Sequence, residues 1–150
     1  MSGQQAGNGH RIVAGVDGSA SSLTALRWAI RQAELTGSSV DAVIAWESPA
    51  ATGFGWGLGM TDGGDYGELA AKTVTEAISS VAGSASPVTV RPITGEGNAA
   101  QVLLDASDGA DLLVVGCRGH GGFASALLGS VSQHCTHHAH CPVVVIRGGG

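Results

Sequence analysis

Lysine is nearly missing from this 150-residue chain: Lys72 is the only one. The formal net charge is -5. That balance excludes a general nucleic-acid binder, because no basic footprint is available for a phosphate backbone. It also excludes a Walker loop, since no glycine precedes Lys72. A phosphate held by this chain would be held by backbone amides, hydroxyls and Arg118. Cysteine is scarce too. Cys117, Cys135 and Cys141 are an odd, sparse set, which excludes a disulfide framework and points to reduced thiols in a cytoplasmic protein. No apolar run is long enough to span a membrane. Residues 1–9 are polar and glycine-rich, without a basic-then-apolar leader pattern. They are expected to be a disordered segment ahead of a single domain over residues 10–147, with 148–150 as a flexible tail.

What is present suits one compact domain with a real core: 43% hydrophobic and only 13% charged residues. Strand and helix patterns alternate. Apolar runs at 11–16, 40–46, 88–94, 112–115 and 143–146 read as strands. A helix is expected over 21–36, with Leu23, Leu26, Ile30 and Ala33 on one face and Gly37 ending it. A second is expected over 66–82, with a stripe of Leu69, Thr73, Ala77 and Val81. Asn98 is placed to cap a third helix through Ala106 that buries Val102, Leu103 and Ala106. A fourth is expected over about 125–138. Between the second strand and second helix, 47–65 is a glycine-rich stretch holding Phe54, Trp56 and Met60. It is either a lid-like binding loop or an insertion with no role.

Such alternation predicts an α/β fold: one doubly wound, five-stranded parallel sheet with helices on both faces and the order 3-2-1-4-5. In that order the sheet reverses direction between strands 1 and 4, and ligands bind at the carboxyl ends of strands where it does so. Strand 1 ends in Val16-Asp17-Gly18-Ser19, and strand 4 in Gly116-Cys117-Arg118-Gly119. Nine residues after Gly119 come Gly129-Ser130 and a helix pattern. A strand, a glycine-rich loop and a helix N-terminus make an anion site, because the loop backbone can approach a phosphate and the helix's free N–H groups point at it. Asp17 also suits a cap for the first helix, a role compatible with ligand contact.

The spacing Gly116, Gly119, Gly129, Ser130 resembles the signature of the universal stress proteins in their ATP-binding branch. The strand end Val16-Asp17-Gly18-Ser19 and the closing run Cys141-Pro142-Val143-Val144-Val145-Ile146 are similar to that family as well. The resemblance implies that Asp17 contacts the ribose or adenine side, Gly15 and Val16 line the base pocket, and Ala45 sits against adenine. It implies that Gly116, Arg118, Gly119, His120 and Gly122 line the ribose and phosphates, and that Gly129, Ser130, Val131 and Ser132 hold the phosphates. Cys117 stands where relatives often have serine, and sulfur is a weak hydrogen-bond partner. The resemblance further implies ATP, with Mg²⁺, as ligand, a role in stress response, and a homodimer through the apolar C-terminal strand, whose exposed edge invites pairing.

Other signals are weaker. Gly95-Glu96-Gly97-Asn98-Ala99-Ala100 and Gly119-His120-Gly121-Gly122-Phe123-Ala124 both fit a dinucleotide fingerprint, but neither lies in the first strand–helix unit. The cluster His134, Cys135, His137, His138, His140 and Cys141 has spacings that suit a metal. Histidines near a helix C-terminus are also normal companions of the helix dipole, and Cys135 falls on an apolar stripe with Leu127, Leu128 and Val131, so the expectation is core and dipole, with no metal. The function expected is an adenine-nucleotide-binding regulatory module. The alternatives are a slow ATPase or phosphotransferase, for which only His120 and Asp17 present themselves near the phosphates, and a dimeric scaffold without nucleotide.

Overall fold

The computed structural model describes residues 10–47, 66–82, 87–117 and 130–147. Nine elements follow in chain order: β1 (Arg11–Gly15), α1 (Ala20–Thr36), β2 (Ser39–Trp46), α2 (Tyr66–Ala82), β3 (Val90–Glu96), α3 (Ala99–Ser107), β4 (Leu112–Gly116), α4 (Ser130–His138) and β5 (Val143–Ile146). The strands form one sheet in the order β3-β2-β1-β4-β5, every pair parallel. That is the expected order. The segments 1–9 and 148–150, the 47–65 stretch beyond Glu47, and the first residues of the expected fourth helix lie outside the described residues.

Two-residue alternation along each strand builds two cores. Ile12, Ala14, Val40, Ala42, Ile44 and Val114 point to the face covered by α1 and α2, where Leu26, Ile30 and Val74 meet them. Val13, Val43, Leu113 and Val115 point to the other face, against Leu103 of α3 and Cys135 of α4. A strand buried on both faces needs apolar residues at consecutive positions, which is why these strands read as unbroken apolar runs.

Helix ends follow local chemistry. Ser19 is the N-cap of α1, its hydroxyl accepting from the Ser22 amide at 3.1 Å. Asp17 is one step removed: its carboxylate accepts from the Ser19 amide at 2.9 Å, holding the turn that precedes the helix. The expected cap at Asp17 is therefore corrected to Ser19. Gly37 ends α1 in the left-handed conformation at φ 74°, where its N–H meets the Ala33 carbonyl. Asn98 caps α3 through the Gln101 amide at 3.2 Å, as expected.

Three other expectations shift. In α2, Ala77 is buried as expected and Val81 packs against the core, but Ala70 and Val74 are buried in place of Leu69, which is 60% exposed, and Thr73. In α3 the buried set is Ala100, Leu103 and Ser107, with Val102 and Ala106 only half-buried. β3 begins and ends two residues later than expected, because its register with β2 carries the ladder to Trp46 and Glu96. The Gly97 amide then closes onto the Trp46 carbonyl at 2.8 Å.

Candidate functional site

The ligand crevice of this topology lies between β1 and β4. The chain leaves β1 for β2 on one side and leaves β4 for β5 on the other. Pairing of Ala14 with Val114, continued three residues, sets Asp17 level with Cys117. Pairing of Gly15 with Val43, continued two residues, sets Asp17 level with Ala45. The Val16 amide donates to the Val43 carbonyl at 2.8 Å, the bond that closes the Gly15–Val43 pair at the end of β1. Asp17 and Cys117 follow the carboxyl ends of β1 and β4, and the register extended past those ends leads them to the level of Ala45 in β2.

Each of these residues also has a packing environment. Val16 is buried in the α1–α2 core. Gly15 leaves room for Leu103: a Cβ there would lie 2.9 Å from Leu103 Cδ1. Gly116 leaves room for Ser21 in the first turn of α1, since a Cβ there would overlap Ser21 Oγ and stand 3.0 Å from Ser21's backbone C and O. Ala45 is half-buried, paired with Gly95. Gly18 adopts φ 85°, a left-handed conformation that lets the chain turn from β1 into the Ser19 cap. Ser130 begins α4, Val131 is half-buried, and Ser132 is buried at 1% exposure. Arg118, Gly119, His120, Gly122 and Gly129 lie outside the described residues.

The three cysteines are unpaired thiols. Cys117 is buried at the end of β4. Burial pushes the Cys135 thiol up to about 11, so it stays protonated and inert within the α3–α4 core, as the apolar stripe predicts. Burial also raises Cys141, and Asp111 adds to that, while a hydrogen bond with Ser107 and the positive charge of Arg11 oppose it.

Two features have no precedent in the sequence reading. Asp41 stands in the apolar run of β2 and is 2% exposed. Arg91 grips its carboxylate with Nε and Nη2 at 2.9 and 3.0 Å, and Arg11 Nη1 adds a contact at 3.3 Å. The same Arg11 donates to the Ala106 and Asp108 carbonyls at 2.8 and 2.9 Å, closing the C-terminal end of α3. A lone acid inside a buried strand was the available signal, since such a charge must be paired. Asp41 lies four residues back from the height of Ala45, roughly 13 Å along the strand, so the cluster supports the sheet from the end opposite the crevice. The second feature is Ser21 Oγ, buried beneath Gly116 with no hydrogen-bond partner among the described residues.

The family model described as "Universal stress protein family" matches residues 9–147. The chain belongs to that family. It is similar to universal stress protein Rv2623 of Mycobacterium tuberculosis, 36% identical over 142 residues, which cover 91% of this chain and 47% of that protein. It is likewise similar to a universal stress protein of Mycolicibacterium smegmatis, 32% identical over 151 residues, covering 96% of this chain and 50% of the relative. The chain thus spans about half the length of these relatives.

Among solved universal stress proteins, UspA from Lactobacillus plantarum superposes with a TM-score of 0.74 at 20% identity, over 92% of this chain and 97% of that one. A universal stress protein in complex with cAMP superposes with a TM-score of 0.59 at 23% identity, over 92% and 96% of the two chains. One from Archaeoglobus fulgidus in complex with dAMP gives 0.54 at 18% identity, over 93% and 98%. At these identities the likeness carries the fold.

Proposed function

We propose that this universal stress protein domain is an ATP-binding regulatory module of the cytoplasmic stress response, acting by binding rather than by turnover. The observation that carries the reading is the reversal of strand order between β1 and β4, whose ends lead into Asp17 and Cys117, with the Gly116, Gly119, Gly129, Ser130 spacing running on from the end of β4. Family relatives solved in complex with cAMP and with dAMP support an adenine nucleotide as the occupant. In this reading Asp17 and Ala45 take the nucleoside, and the backbone from Gly116 to Gly122 follows ribose and phosphates. The start of α4, from Gly129 through Ser132, holds the phosphates, with Mg²⁺ supplying charge neutralisation. Binding rather than catalysis is favoured because neither Asp17, which holds the turn before α1 through the Ser19 amide, nor His120 belongs to a recognisable catalytic set. Nucleotide bound there would change the surface offered to a partner.

The test is the nucleotide released from purified protein on denaturation, separated by liquid chromatography, together with melting in ATP and in cAMP. The expected result is co-purified or stabilising ATP, lost in the double variant Gly119→Ala/Ser130→Ala. Preference for cAMP would keep the site and correct the ligand. Absence of nucleotide and of any shift would overturn the reading and leave a scaffold without nucleotide. The same proposal includes a homodimer through β5.

A further inference from the structure

Away from the crevice, α3 and α4 pack side by side. Beside their contact is a groove of about 380 Å³ whose walls include Asp105, Asp108, His134, His138 and His140. Imidazoles and carboxylates are the side chains that zinc and neighbouring first-row metals accept. His134 and His138 are four residues apart on α4, so they stand one above the other on the same helical face. Their ring centroids are 4.4 Å apart, with the planes inclined by 34°. Both are exposed, so a hydrated ion reaches them without any opening of the fold. His137, whose ring centroid is 6.5 Å from that of His138, is not part of the groove wall.

Gln101 donates to the Asp105 carboxylate at 2.9 Å, and the Asp108 carbonyl is taken by Arg11. Among the described residues, no three His, Cys, Asp or Glu side chains form a ready-made metal cluster. The geometry is therefore a two-imidazole clamp beside an acidic wall, with water left to complete the coordination.

We propose that His134 and His138 clamp one divalent transition-metal ion of the zinc class in the α3–α4 groove, with Asp105 and Asp108 providing the negative charge that draws it in. A metal bridging two positions one turn apart locks that turn. Nine-residue helices are marginal on their own, so the lock adds stability to α4 in proportion to occupancy. The inference stands independently of the nucleotide reading, because the clamp lies on the helix's C-terminal half and not at its start.

The experiment is a calorimetric titration of Zn²⁺ into chelator-stripped, tag-free protein, with melting followed in parallel. One ion per chain and a raised melting midpoint are expected. Affinity should fall by about tenfold or more in His134→Ala and in His138→Ala, at least the loss that follows removal of an outer-shell partner, and should be unchanged in His137→Ala. Circular dichroism of the metal-free variants checks folding; if an alanine variant is perturbed, His134→Gln or His138→Gln replaces it. Zinc binding that survives loss of either ring, binding lost equally in His137→Ala, or no heat and no shift in the unaltered protein would each overturn the clamp.

Discussion

Gly116 serves packing as well as any ligand. Its missing side chain is the space in which the first turn of α1 approaches β4, and Ser21 fills that space with both hydroxyl and carbonyl. Gly15 is a milder case, because a Cβ there meets only the end of the Leu103 side chain, which can turn aside. Gly116→Ala should therefore destabilise the fold by about 1–3 kcal/mol, the usual cost of overpacking, and Gly15→Ala by less. Urea unfolding without nucleotide measures both. Ser21→Ala alone should be neutral or slightly stabilising, since it removes a buried hydroxyl with no partner. Added to Gly116→Ala it should recover part of the loss and not all, because the Ser21 carbonyl stays in place. An unchanged midpoint in Gly116→Ala would mean that α1 gives way freely, and the glycine would then belong to the ligand alone.

At the scale of elements, Asp41 ties three segments together. Arg91 brings β3 to β2, and Arg11 joins β1 to the last carbonyls of α3 through the same carboxylate. Asp41→Asn keeps the shape and removes the charge, leaving two arginines facing each other. A loss of roughly 2–3 kcal/mol is expected, the range for a hydrogen bond to a charged group. Arg91→Met should cost less, because Arg11 still pairs with the acid and Arg91 is 57% exposed. Equal losses in the two variants would show that the carboxylate is not the hub. This cluster was invisible to periodicity, which sees Asp41 only as an interruption between Val40 and Ala42. Capping chemistry did reveal the Gly37 and Asn98 helix ends, which depend on residues close in sequence, and strand–helix alternation with right-handed crossovers pointed to the strand order. In α2, Ala77 and Val81 were legible as core-facing positions, but at its start small Ala70 faces the core and the larger Leu69 is exposed. For the candidate site, the strand ends were legible from the glycines and the acid. The exchange of roles between Asp17 and Ser19 was not, because both are good caps and only the backbone turn decides between them.

Among the described residues the sheet has two edges, β3 and β5, and they differ. β3 carries Pro92, which has no amide to give, beside the charged Arg91, and both discourage pairing. β5 has only Val143, Val144, Val145 and Ile146, without charge or proline. The carbonyls of Pro142 and Ile146 turn inward to the Leu113 and Cys117 amides of β4. By the two-residue alternation of a parallel strand, Val143 and Val145 then turn their own N–H and C=O groups outward. That row of groups is the contact expected for the proposed homodimer. A charge at Val145 is a poor probe of it, because the side chain packs into the α3–α4 core while Val144 and Ile146 pack on the opposite face. Val145→Pro is the sharper change: it removes an outward donor and leaves the bonds to β4 in place. Light scattering at high micromolar concentration should find the unaltered protein dimeric and Val145→Pro monomeric, with the circular dichroism spectrum retained in both. A monomeric unaltered protein would sink the β5 interface outright. A dimer that survives Val145→Pro would move the interface to another face of the domain.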